Sequence, residues 1–344
     1  MSIDIFCHIY PNEYLDAVKK YCKNIVFEHD PATDNVVMIN KTLNTWVGFF
    51  KKDSHCCIPE LRIPHMKKYG VDMQVLTVAL PSLEPTMLGA KREDTVKIAR
   101  VVNDMMSKVQ ENHPDRFVGV AEVPVLDQGA MLDEAERAIN DLGLKVIQLY
   151  SQMNGITPES PVLFPLYEKL SKYDVPVLIH PANPLPQEYR RYERDYLLYY
   201  VFGWPYETTL AFSRIALSAL PERFPHLRFV SHHLGGMISF FAERIKLYEQ
   251  ETVRPDGLPH KQYMSFFKTF YHDTAVFGHV PAVQCGYDFF GPDKIMLGTD
   301  YPFGPMYGEA FLRDTISSIK AIKAPEEDKQ KILGLNARKF FKIS

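Results

Sequence analysis

Eight short apolar runs punctuate this chain, at residues 3–8, 72–79, 117–122, 145–150, 175–180, 227–232, 269–273 and 294–299. Between them lie stretches with helical spacing, among them 93–114, 131–143, 165–174 and 325–341. Strand-length runs alternating with helices imply parallel strands joined by crossover helices, and eight repeats predict a closed (β/α)8 TIM barrel of the α/β class. An open doubly wound sheet is the alternative. Barrels commonly use 250 to more than 400 residues as one unit, so the 344 residues are expected to form a single domain over 1–344. Two stretches exceed the minimal repeat: residues 9–60, rich in Asn, Lys and aromatics, and residues 181–206. These insertions follow strands 1 and 5, which places both over the mouth of the barrel as a lid or a pocket wall.

The C-terminal ends of barrel strands open onto one face, so residues distant in sequence can meet there. In this chain several of those ends carry chemistry. IDIFCH ends at His8, VPVLIHP carries His180, KIMLGTD ends at Asp300, and LRFVSHH ends in His232 and His233. A catalytic divalent ion needs about three nitrogen or oxygen ligands and one open position, a count that His8, His180 and Asp300 meet. A single histidine is more often a hydrogen-bonded core residue, and a lone Asp300 would also serve as a helix cap; the joint placement is what points to a metal. Of His232 and His233, strand alternation lets only one face the site. His233, beside Gly235 and Gly236, is expected to be the catalytic acid or base, with His232 behind it, and the reverse assignment stays open. Phe6 lies two residues before His8 on the same strand face, and Cys7 between them is expected in the core. Tyr200, Trp204 and Tyr206 in the second insertion offer an aromatic wall for a planar ring or, equally, packing.

Composition narrows the partners. A net charge of -3 without a long basic block gives no electrostatic reason for nucleic acid or an anionic membrane, and no apolar stretch approaches the roughly 20 residues of a membrane helix. The five cysteines, Cys7, Cys22, Cys56, Cys57 and Cys285, are odd in number and lack CxxC spacing, which suits free thiols in a reducing compartment. With no signal-like N-terminus, a cytoplasmic enzyme acting on a small molecule is expected.

At IDIFCHIYP, PELRIPHMKKYGVDMQVLT, NHPDRFVGVAEVP, VPVLIHPAN, GWPYETTLA, HHLGGMISFFAERI and LGTDYPFG the chain resembles the amidohydrolase superfamily. Within it, the likeness is to the nonhydrolytic branch of aminocarboxymuconate-semialdehyde and resorcylate decarboxylases. The resemblance covers essentially the whole chain. It implies a barrel holding one divalent metal, zinc in the first place or manganese, through His8, His180 and Asp300, with His233 and Asp300 as catalytic groups. It also implies a homodimer or larger assembly, in which Arg244 anchors a carboxylic acid substrate, and decarboxylation of a hydroxylated aromatic or enolic acid. The family begins strand 1 with HxH or Glu-x-His, whereas this chain has Phe6-Cys7-His8, so one ligand is missing and Phe6 would instead meet substrate. Lys145 stands at the wrong end of strand 4 to bridge a second metal. Two competing readings remain: a metal-dependent hydrolase or hydratase on the same barrel, and a metal-free protein that binds an aromatic acid without turnover.

Overall fold

The computed structural model describes residues 1–79, 81, 83, 88–182, 198–218, 220–249 and 263–343. Its first strand, β1 (Ile3–His8), is buried throughout. An insertion follows, containing the helix Asn12–Tyr21 and three antiparallel strands, β2 (Ile25–Asp30), β3 (Asn35–Asn40) and β4 (Thr45–Phe50). The remaining strands are β5 (Met73–Thr77), β6 (Phe117–Gly119), β7 (Ala121–Glu122), β8 (Ile147–Tyr150), β9 (Val177–His180), β10 (Phe229–Ser231) and β11 (Tyr271–His272). Parallel ladders join β1 to β5 and β5 to β6, and run from β7 through β8, β9 and β10 to β11.

Two seams complete the circle. At Val120 one strand changes partners: Val120 N–H donates to Leu76 O, and Ala121 N–H donates to Val146 O. The eighth run, expected at 294–299, forms no regular ladder. It closes the barrel through single bonds: Met296 N–H to His272 O, Ile5 N–H to Leu297 O, and Asp300 N–H to Phe6 O. Side chains supply what the ladder lacks. Asp4 accepts from the Thr299 N–H at 3.0 Å and from its hydroxyl at 2.6 Å, and Thr274 Oγ1 accepts from the Gly298 N–H at 3.1 Å. Such bonds satisfy buried backbone groups without the repeating geometry of a strand pair.

Inside the barrel, Ile3, Ile5, Met73, Val75, Val120, Val146, Leu178, Val230 and Met296 form one apolar cluster, capped from below by Ala337 and Phe340. Each such side chain is worth about 1.5–3 kcal/mol when fully buried. The register of β1 against β5 shifts between Asp4 and Cys7. Strict alternation from Ile3 and Ile5 would turn Cys7 to the barrel axis; the irregularity instead brings Phe6 and His8 to the mouth, and Cys7 packs in the outer core. Outside, Arg92–Asn112, Gln128–Asn140 and Phe164–Tyr173 cover the strands close to their expected positions. The last predicted helix is broken by a π-turn at Lys331–Leu335.

One polar group lies deep in the wall. Glu122 accepts from Gln148 Nε2 at 2.6 Å and from the Tyr150 hydroxyl at 3.3 Å, and burial raises its pKa to about 8. A carboxyl whose folded pKa exceeds its unfolded one stabilises the protein fully below the unfolded value, near 4.5, and this contribution is lost as pH rises through about 8. Glu122→Gln, which keeps the acceptor and cannot ionise, should therefore gain stability relative to the parent from pH 4.5 upward. The gain should level off above pH 8 at about 5 kcal/mol. Urea midpoints measured at pH 5 and pH 9 check this, and an equal difference at both would refute it.

Candidate active site

Three strand ends bring their side chains to one floor. His8 is fixed at the tip of β1 by Thr77 from β5, whose Oγ1 lies 2.9 Å from His8 Nδ1. That leaves Nε2 facing Asp300, 3.0 Å from Oδ1. His180 at the tip of β9 has its Nδ1 2.8 Å from the carbonyl of Pro181. A carbonyl can only accept, so Nδ1 carries the proton and Nε2 keeps its lone pair. Engaging one ring nitrogen to free the other is how ligating histidines are oriented. The His8 and His180 rings stand 5.1 Å apart.

These atoms suit a divalent cation. Two ligands each about 2.0–2.2 Å from one ion lie roughly 3 Å from each other, which is the His8–Asp300 separation. Among the described residues, no three His, Cys, Asp or Glu side chains stand together as a group that could hold a metal ion without some adjustment of their side chains. The fourth side of the floor is phenyl. Phe6 stacks on His232 at 3.7 Å and 16°, and meets the edges of His8 at 4.6 Å and His233 at 5.7 Å. It has no lone pair to give, so it offers nothing to a cation at this place.

Both residues of the histidine pair touch Phe6, which alternation does not anticipate. The reason is that β10 ends at Ser231, and His233 and Leu234 then take left-handed φ values of 53° and 52°. His232 packs behind the phenyl ring, its Nδ1 2.7 Å from Asp273 Oδ2, while His233 lines the cavity with its Nδ1 buried and unpartnered. Asp273 also accepts from the Leu234 N–H at 3.5 Å and so ties the turn down from the next strand, while the Ala275 N–H donates to the same oxygen at 2.9 Å. Gly236 is required there: a Cβ on it would come within 2.2 Å of Pro205 O, at the start of the helix Trp204–Leu217. Burial lowers the pKa of His233, keeping the imidazole neutral at neutral pH. Burial likewise pushes Asp273 up to about 7 and His232 well below its usual range.

Behind the floor sits Arg62, fully buried. It donates to the backbone carbonyl of His8 and to that of His55, with its guanidinium 5.3 Å from the ring centroid of Tyr301. One cation thus braces the ends of both strands that carry His8 and Asp300.

Above the floor is a cavity of about 280 Å³. Tyr200 and Trp204 line it, as do Trp46 and Phe49 from the first insertion. Tyr206 is exposed instead, and residues 183–197 of the second insertion lie outside the described residues. Arg244 is exposed on the helix Ala242–Glu249 and is not part of the cavity wall within this chain. Lys145 is exposed before β8 begins. Sequence reasoning missed Thr77, Arg62, Asp273 and Trp46 to Phe49. Of these only Asp273 carried a visible signal, since YHDTA ends the seventh strand in an acid as LGTD ends the eighth.

Known proteins resemble this chain over nearly its whole length. A family model described as amidohydrolase matches residues 3–343. The 2-amino-3-carboxymuconate-6-semialdehyde decarboxylase of Dictyostelium discoideum is 30% identical over 353 residues, covering 99% of this chain and 91% of the relative. The gamma-resorcylate decarboxylase of Rhizobium sp. (strain MTP-10005) is 29% identical, covering 83% of this chain and 88% of the relative. Among solved structures, a dihydroxybenzoic acid decarboxylase from Polaromonas sp. JS666, with bound manganese and the inhibitor 2-nitroresorcinol, superposes with a TM-score of 0.77. It is 22% identical and matched over 99% of this chain and 97% of its own, which establishes the shared barrel.

Proposed function

This chain belongs to the amidohydrolase family, and on that premise we propose that it is a metal-dependent, nonhydrolytic decarboxylase of a hydroxylated aromatic or enolic carboxylic acid. The observation that carries the reading is the meeting of His8, His180, Asp300 and His233 on the floor of one aromatic-walled cavity. Relatives at 29–30% identity are named as decarboxylases of such acids. Zinc or manganese would be held by His8, His180 and Asp300, where the ion acts as a Lewis acid toward substrate oxygen. Assembly as a cytoplasmic homodimer or larger oligomer belongs to the same proposal, as does an Arg244 that acts only across a subunit boundary.

The chain's own groups move the proton. Neutral His233 takes the proton of the substrate hydroxyl, which raises electron density at the ring carbon bearing the carboxylate. The same proton then goes to that carbon from His233, directly or by way of Asp300. The carbon–carbon bond breaks, its electron pair restores the ring, carbon dioxide leaves, and solvent reprotonates the phenolate. Phe6 and the aromatic walls keep water from the carboxylate, which favours losing its charge as neutral carbon dioxide.

The test is release of carbon dioxide from a panel of hydroxybenzoic acids, followed by ultraviolet absorbance, before and after stripping metal with a chelator. Activity should vanish on stripping and return with zinc or manganese. Water consumed without carbon dioxide released would favour a hydrolase, and activity indifferent to chelation would remove the metal from the scheme. A related prediction concerns the missing ligand. Phe6→His supplies a fourth donor, so the metal should be retained at least about tenfold more tightly in chelator competition. Unchanged retention would place residue 6 out of reach of the ion.

A further inference from the structure

We propose that the acid accepted here bears a sizeable apolar substituent, several carbons long, on its hydroxylated ring. The ring-acid part rests on the decarboxylase reading; the substituent rests on the cavity. A cavity of roughly 150 Å³ lined by apolar side chains suffices for benzene. The present one, at about 280 Å³, leaves after one ring some 130 Å³, roughly the liquid volume of four waters.

The lining decides what fills that space. From the floor outward the rings follow one another: His8 to Phe303 at 5.4 Å, Phe303 to Phe49 at 5.2 Å, Phe49 to Tyr200 at 6.0 Å, and Tyr200 to Trp204 at 4.5 Å. The stacked pair Phe277 and Phe311, with centroids 4.2 Å apart, lines the same cavity. A bound water needs two to four polar partners, and a second carboxylate needs a cation or several donors. Among the described lining residues there is no Lys or Arg. An alkyl chain or a second ring needs neither and gains by burial.

The roof is built for this. In the β3–β4 pairing Met38 faces Gly48 and Ile39 faces Trp46, so Val47 is an extra, bulged residue. A regular strand would send alternate residues to opposite faces; the bulge lets Trp46, Val47, Gly48 and Phe49 all line the cavity. That apolar strip belongs to the insertion, apart from the strand ends that carry the proton chemistry.

Titration calorimetry on the metal-loaded protein with salicylates bearing 6-methyl, 6-propyl and 6-pentyl groups tests the proposal. Trp46 and Trp204 are the two tryptophans of the chain and both line the cavity, so quenching of their emission reports binding at this place without turnover. Affinity should rise about fourfold per methylene and level off near the pentyl acid. A hydroxylated dicarboxylic acid of matching size should bind at least tenfold more weakly than the propyl acid. Phe49→Ala and Phe311→Ala, each checked for folding by circular dichroism, should flatten the dependence on chain length. Equal affinities across the parent series, or tighter binding of the dicarboxylate, would overturn the proposal. Chain-length-dependent binding with no carbon dioxide from any acid would leave it standing and remove the decarboxylase reading. Carbon dioxide released with no preference for alkyl length would do the reverse.

Discussion

Asp300→Asn should leave the barrel folded and lower kcat at least a thousandfold. The amide keeps the size of the carboxyl and can still meet His8 Nε2, 3.0 Å from the present Oδ1, so the strand end need not move. What disappears is the single negative charge among the three donors. Lewis-acid stabilisation of transition-state charge amounts to several kcal/mol, and about 4 kcal/mol corresponds to the expected factor. Metal content should fall with activity, and elemental analysis of the purified variant measures that directly. Turnover at the parent rate would take Asp300 out of the reaction.

His233→Asn is expected to reduce kcat by about a hundred to ten thousandfold, the usual contribution of a positioned acid or base, while metal content stays at the parent level. Asn tolerates the left-handed backbone that His233 adopts, at φ 53°, better than most residues, so the turn after β10 should survive. The contrast between the two variants separates proton transfer from metal holding. His232→Asn supplies a control: that ring sits behind Phe6 on Asp273 and outside the cavity wall, so its loss should cost much less in rate. A rate loss at His232 equal to that at His233 would mean that the two act as one unit.

Seven of the eight strands and the polar ends of the first, fifth and eighth were legible because barrel strands read as apolar runs with a chemical group at the tip. The eighth strand was legible as a segment and not as a ladder, because Asp4 and Thr274 satisfy its backbone from side chains that no periodicity reveals. The antiparallel sheet within residues 25–50 shows in the sequence only as an insertion. Its turns did carry a signal, in Asp34 and Asn44 with φ values of 57° and 48°, residue types that accept that conformation. Which of His232 and His233 faces the cavity could not follow from alternation, since the strand stops before either. Arg62 was invisible for another reason. A buried guanidinium that serves two backbone carbonyls leaves no acidic partner in the sequence to pair with it.

The bulged sheet over the mouth hangs from a single crossover, while every proton-handling group belongs to the barrel beneath. The sheet thus shares the choosing of molecules with Tyr200, Trp204, Phe277, Phe303 and Phe311 and stands apart from the transformation of those molecules. Exchanging residues 25–50 for another sheet should therefore change which molecules the cavity admits more than it changes the chemistry at the strand ends.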